Sequence, residues 1–234
     1  MTARLAIQCR EGAGPTIVFL PGYASDMTGS KAMALDDWAA GTGRAFVRFD
    51  YRGCATSGGA FEDFTLDDWR DDVLGIIDSL DGPVVLVGSS MGGWIMLLAA
   101  LARPMRVAAL VGIAAAPDFT EWGFTEAQKV ALARDGRISE PSDYGVPLVT
   151  THGFWKSGQR NLLLGAPIAL DCPVRLLHGQ RDPDVPWQQS LRLAESLRSP
   201  DVQVTLVKDG DHRLSRAHDI ALLIATIDAV VRSP

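Results

Sequence analysis

Short apolar runs recur along the chain, and most are followed by a stretch whose apolar residues repeat at helical spacing. The runs are TIVFL (16–20), AFVRF (45–49), VVLVG (84–88), VAALVGIA (107–114), VRLLHG (174–179) and VQVTLV (202–207). Most are rich in β-branched residues, which suits strands covered on both faces. Between them, Leu66, Trp69, Val73, Ile76, Ile77 and Leu80 fall on one helical stripe. Thr65 precedes that stripe as a good N-cap, with Asp67 and Asp68 near the positive end of the helix dipole. Trp187, Leu191, Ala194 and Leu197 form a second stripe, and Ile220, Leu223, Ile224, Ile227 and Val231 a third. Residues 94–102 (WIMLLAALA) are apolar all round, as a helix packed on every side should be. Strand–helix alternation of this kind predicts an α/β protein, a mostly parallel, doubly wound sheet with helices on both faces.

The rhythm breaks once. From about 117 to 170 there are Trp122, Trp155, several glycines and one short helical stretch at 124–134, with no clear strand. A long irregular insertion in a compact α/β domain is more often a functional lid than a linker; a surface excursion without a role is the alternative. One domain over residues 1–234 is therefore expected, with a lid insertion at about 117–170.

Composition narrows the function classes. Hydrophobic residues make up 47% of 234 positions, enough for a large core, and the formal net charge is -6. With no run of lysines and arginines, a nucleic-acid partner is not expected. No segment approaches the roughly 20 apolar residues of a membrane helix. The N-terminal MTARLAIQCREG has no long apolar stretch and no cleavage signature, so a cytoplasmic location is expected. Cys9, Cys54 and Cys172 are too few and too scattered for a disulfide framework or a zinc site, and read as reduced thiols.

The candidate chemistry starts where VVLVG runs into Gly88-Ser89-Ser90-Met91-Gly92, a G-x-S-x-G match with Ser90 at its centre. A strand precedes it and a wholly apolar helix follows, the setting in which such a serine sits exposed on a strained turn. A serine hydroxyl is a poor nucleophile until a base takes its proton. Of His152, His178, His212 and His218, His212 lies in the loop after the last strand-like run and before the last helix. His218 falls on that helix, and His178 ends a strand and reads as structural. Asp182 and Asp184 follow the VRLLHG strand, and Asp182 is preferred as the orienting acid because a short turn there can aim it at His212. The backbone N–H groups of Met91 and of Tyr23, after the Pro21-Gly22 turn, are the expected oxyanion donors.

These residues, in this order, closely resemble the α/β-hydrolase superfamily of serine hydrolases. FLPGYASDMTGSKA, RFDYRG, GSSMGGW and RLLHG…D…VPW are similar to one mitochondrial branch of it, described as palmitoyl-protein thioesterases and acyl-glucuronide esterases. The resemblance implies the α/β-hydrolase fold, a triad of Ser90, Asp182 and His212, and hydrolysis of carboxylic esters or acyl thioesters. It implies neither a cofactor nor a metal. The partner it implies is a small ester or acyl-thioester substrate, an acylated protein among the candidates. A mitochondrial location would follow if the source is eukaryotic. Where the superfamily tends to carry Gly-x-Gly-x-Ser, this chain has Arg52-Gly-Cys-Ala-Thr-Ser57. A proline-releasing serine aminopeptidase, using Glu121, Glu126 or Glu140 for a substrate amine, and a non-catalytic binding module on the same scaffold are the competing readings. Trp122, Trp155 and Met91 suit either an acyl pocket or plain core.

Overall fold

A computed structural model describes residues 4–141 and 147–232. The chain enters through β1 (Ala6–Arg10) and β2 (Ala13–Leu20), passes through α1 (Ser30–Thr42) and returns as β3 (Arg44–Asp50). Helix α2 (Leu66–Ser79), strand β4 (Val84–Ser89), helix α3 (Met91–Ala102) and strand β5 (Val107–Ile113) follow. The insertion holds α4 (Phe119–Trp122), α5 (Glu126–Asp135), β6 (Arg137–Glu140), β7 (Leu148–Thr151) and α6 (His152–Arg160). Then come β8 (Val174–Gly179), α7 (Gln188–Ser196), β9 (Val202–Val207) and α8 (Ala217–Arg232).

Among the described residues the main sheet has seven strands in the order β1-β3-β2-β4-β5-β8-β9. All neighbours are parallel except β1, which runs antiparallel to β3. The six apolar runs of the sequence are its six parallel strands. Strand alternation divides the core in two. Val18, Leu20, Leu86 and Leu176 point to one face, against α2, α3 and α7, with Trp69, Trp94 and Leu193 packed there. Ile17, Phe19, Val85, Val87 and Val111 point to the other, where α1 and α8 supply Leu35, Leu223 and Ile227. Helix α3 lies between the sheet and α2, and the insertion closes over Trp94 with Phe119 and the Asn161 carbonyl, so Trp94 through Leu97 are fully buried.

The structure adds elements that the apolar pattern does not announce. β1 is an edge strand with three exposed central residues, so no buried face marks it. α1 buries small residues, Ala32 and Ala39, around Leu35, a stripe too weak to read as amphipathic. Within the insertion, β6 and β7 pair as a short antiparallel ribbon, and α6 follows, where the sequence suggested no strand. Both ribbon strands are four residues long and only partly buried. Cys9, Cys54 and Cys172 are all free thiols.

Candidate active site

The strand β4 ends on a strained turn. Ser90 adopts φ 54 and ψ -119, a conformation costly for a side-chain residue and held by its surroundings. Its N–H donates to the Ile113 carbonyl at 2.9 Å, and its carbonyl accepts from Gly93 and Ala116. The glycines permit the approach. A side chain on Gly92 would run into the carbonyl oxygens of Leu20 and Pro21, and one on Gly88 into the first turn of α3. Gly22 in turn lies against Ser90, since a Cβ there would sit 3.4 Å from the serine Cβ. The backbone after β2 is therefore brought directly beside the serine, with Tyr23 next in line. Ser89, by contrast, is buried as the last residue of β4.

On the far side of β5, the loop after β8 carries Asp182. Its side chain is fully buried and its two oxygens divide their partners. Oδ1 accepts the N–H groups of Asp184 and Val185, each at 2.8 Å. Oδ2 accepts from His212 Nδ1 at 2.8 Å and faces His178 Nε2 at 3.2 Å. Burial alone would raise this carboxyl, but the hydrogen bonds from His178, His212 and Val185 outweigh it and hold it well below the usual carboxylate range. His212 stands on the loop after β9, partly exposed, with Nδ1 committed to Asp182. Asp184 is exposed and Asp211 caps its own turn through the Leu214 N–H, so neither competes for the Nδ1 position.

Ser90, Met91, Tyr23 and His212 line one cavity of about 840 Å³, a size typical of small-molecule sites. One part of its wall is apolar, with Phe119, Trp122, Phe124 and Leu148 from the insertion. Another is polar, with Ser25, Lys31 and Arg213. Burial lowers the Lys31 ammonium to about 8, and its Nζ donates to the Arg213 carbonyl. Trp155 does not line the cavity; its Nε1 is spent on the Thr120 carbonyl. Of the three glutamates weighed for a substrate amine, Glu121 and Glu126 are exposed, and Glu140 lines the cavity while accepting from Gln128. Asp182, Asp184 and His212 form the one group among the described residues whose atoms could converge on a metal ion, within 4.8 Å of one another. Both Asp182 oxygens already carry hydrogen bonds.

Three residues support the site through side-chain contacts that the apolar pattern does not announce. Asp50, at the end of β3, accepts from Met27 N–H at 2.8 Å and from Thr56, so it pins the loop after β2 to the 52–57 loop. Its signal was a lone acid closing an apolar strand. Tyr23 reaches the insertion, its hydroxyl donating to the Val149 carbonyl at 2.9 Å. Its ring packs among Phe61, Trp69, Phe119 and Phe154. His178, buried behind Asp182, is the third.

A strained serine turn at the end of a parallel strand, with an Asp–His pair on the loops after the last two strands, defines a hydrolase of the α/β type. The α/β hydrolase family model matches residues 17–226, and the chain belongs to that family. Mitochondrial palmitoyl-protein thioesterase ABHD10 of Mus musculus is 46% identical to it over 97% of this chain and 78% of its own length. The solved structure of mouse α/β hydrolase domain-containing protein 10 superposes with a TM-score of 0.91 at 44% identity, covering 98% of this chain and 94% of that one. A protein from Agrobacterium vitis superposes at 0.93 with 41% identity over the same shares. The expected fold and the expected class, a hydrolase, are borne out. The cytoplasmic location is not: the relatives from mouse, rat and human are named mitochondrial, which corrects it. Among the described residues no helix is long and apolar enough to cross a membrane.

Proposed function

We propose that this protein hydrolyses acyl thioesters and carboxylic esters through an acyl-enzyme on Ser90. His212 takes the hydroxyl proton through Nε2 as Ser90 attacks the carbonyl carbon. The N–H groups of Met91 and Tyr23 receive the negative charge that develops on the carbonyl oxygen. His212 then returns the proton to the departing thiol or alcohol. Water repeats the cycle: it gives a proton to His212 as its oxygen bonds to the acyl carbon, the acyl carbon–Oγ bond breaks, and His212 returns the proton to Ser90 as the carboxylic acid leaves. Asp182 fixes the imidazole with Nδ1–H outward from the serine and stabilises its charged form.

The observation that carries this reading is the pairing of two features. His212 is held on Asp182 at 2.8 Å, and the same histidine shares a cavity with Ser90. The names of the relatives favour a long-chain acyl group on sulfur. The apolar wall from Phe119, Trp122, Phe124 and Leu148 supports the same substrate class, since an acyl chain gains by leaving water there. In this reading the chain is one domain, and its insertion at about 117–170 is the lid that shapes the acyl pocket.

The test is turnover of p-nitrophenyl esters and of a palmitoyl thioester by the wild type and by Ser90→Ala. Loss of about 10³-fold or more in kcat is expected for the variant, with thermal melting unchanged. A fluorophosphonate probe should label the wild type and not the variant. Wild-type turnover by Ser90→Ala would refute the assignment.

A further inference from the structure

The Asp182 carboxylate serves two histidines, and His178 is completely buried. Its Nε2 faces two acceptors, Asp182 Oδ2 at 3.2 Å and the Val185 carbonyl at 3.0 Å. Its Nδ1 lies 2.7 Å from the hydroxyl of Ser190, itself buried in α7. Two acceptors at one nitrogen require the proton there, and the Ser190 hydroxyl then donates to Nδ1. Groups from α7 and from the 182–185 turn thus hold the ring at both nitrogens. A residue serving only to fill the core needs none of these three polar partners.

We infer that His178 is a positioning residue of the hydrolysis, which holds the Asp182 carboxylate and sets how strongly His212 binds its proton. This rests on the triad reading above. Oδ2 divides its electron density between two N–H donors. A carboxylate with His212 as its single partner on that oxygen would pull harder on Nδ1–H and stabilise the charged imidazole more. His178 therefore tempers the base, keeping more His212 in the neutral form that can accept the serine proton. Other charged groups lie around the same loop: Asp184 from the 182–185 turn, with a carboxylate oxygen within 4.8 Å of a His212 ring nitrogen, Asp211 and Arg213 as the chain neighbours of His212, and Lys31 from α1, which lines the same cavity. They stay unchanged in the variants below, so they set a constant background.

The acid limb of the kcat/KM profile against pH reports the base of the free enzyme. His178→Leu removes the donor, and the limb should move to higher pH by about one unit, the size of a redistributed hydrogen bond to a charged group. His178→Gln, whose amide can reach Oδ2, should restore the wild-type limb. Limbs that coincide for wild type and His178→Leu would overturn the inference. If His178→Leu does not fold, ¹⁵N-histidine NMR of the wild type decides. It should show one histidine locked as the Nε2–H tautomer across the range in which His212 titrates. A different tautomer, or titration of that histidine together with His212, overturns the inference. The Ser90→Ala assay separates the two levels: an inactive Ser90→Ala with unshifted limbs condemns only the role of His178, and an active one condemns the triad.

Discussion

A buried carboxylate stays charged only where donors surround it, and Asp182 has donors on both oxygens. Its carboxyl is depressed well below the usual range, so its contribution to folding is present above about pH 4, the unfolded value. It is lost as pH falls toward the folded value. Asp182→Asn should therefore cost stability at pH 7, and in urea unfolding the gap to wild type should close below about pH 4. On the proposed mechanism the same variant loses about 10⁴-fold in kcat, because an amide can present its NH₂ and reverse the imidazole tautomer. Steady-state kinetics on a palmitoyl thioester would show it. The sequence made Asp182 the preferred acid by its distance from the strand end. It gave no sign that the same oxygen is shared with His178, four residues earlier, because that contact depends on the turn at 182–185 curling back beneath the strand.

At the scale of elements, two predictions separate scaffold from chemistry. α2 opens with a capping box: the Thr65 side chain accepts from Asp68 N–H while the Asp68 carboxylate accepts from Thr65 N–H. Thr65→Ala should lower stability by about 1 kcal/mol in denaturant melts and leave kcat unaltered. Gly92→Ala should behave differently. Its methyl meets the carbonyls of Leu20 and Pro21, backbone that carries the proposed oxyanion donor. Relief requires the loop after β2 to move away from Ser90. Overpacking of about 1–3 kcal/mol is expected, with a fall in kcat well beyond what lost stability explains. The cap and the elbow were both legible in the sequence, as a threonine ahead of an apolar helical stripe with aspartates in its first turn and as glycines around a serine, whereas the reciprocal Thr65–Asp68 bonds came from the structure. β1 and α1 were not, because neither concentrates apolar residues on one face.

The whole molecule decides how the insertion is held. Asp67 at the start of α2 accepts from Ser157 at 2.6 Å, from Asn161 at 2.9 Å and from Arg160 at 2.8 Å, all at the end of α6. Asp118 accepts the N–H groups of Leu163 and Leu164, both at 2.8 Å, and so ties the insertion's two ends together. Tyr23 adds the link to β7 beside the cavity. Asp67→Ala strands several donors, so stability should fall by about 1–3 kcal/mol. Limited proteolysis should then cut first between 117 and 170. If cleavage falls elsewhere first, Asp67 is not the anchor.

The sequence by itself determined the six parallel strands, the doubly wound class, the serine elbow and the three residues of the proposed triad. Those follow from local rules: apolar runs need burial on both faces, and a nucleophile elbow needs glycines at fixed spacing. Only the tertiary structure decided that His178 shares the acid with His212, that Asp50 and Tyr23 brace the loop beside Ser90, and that a polar-edged ribbon forms within the insertion. Each of these joins positions distant in sequence through one or two hydrogen bonds. Such bonds leave no periodic trace along the chain, because what selects them is the packing of neighbours around them.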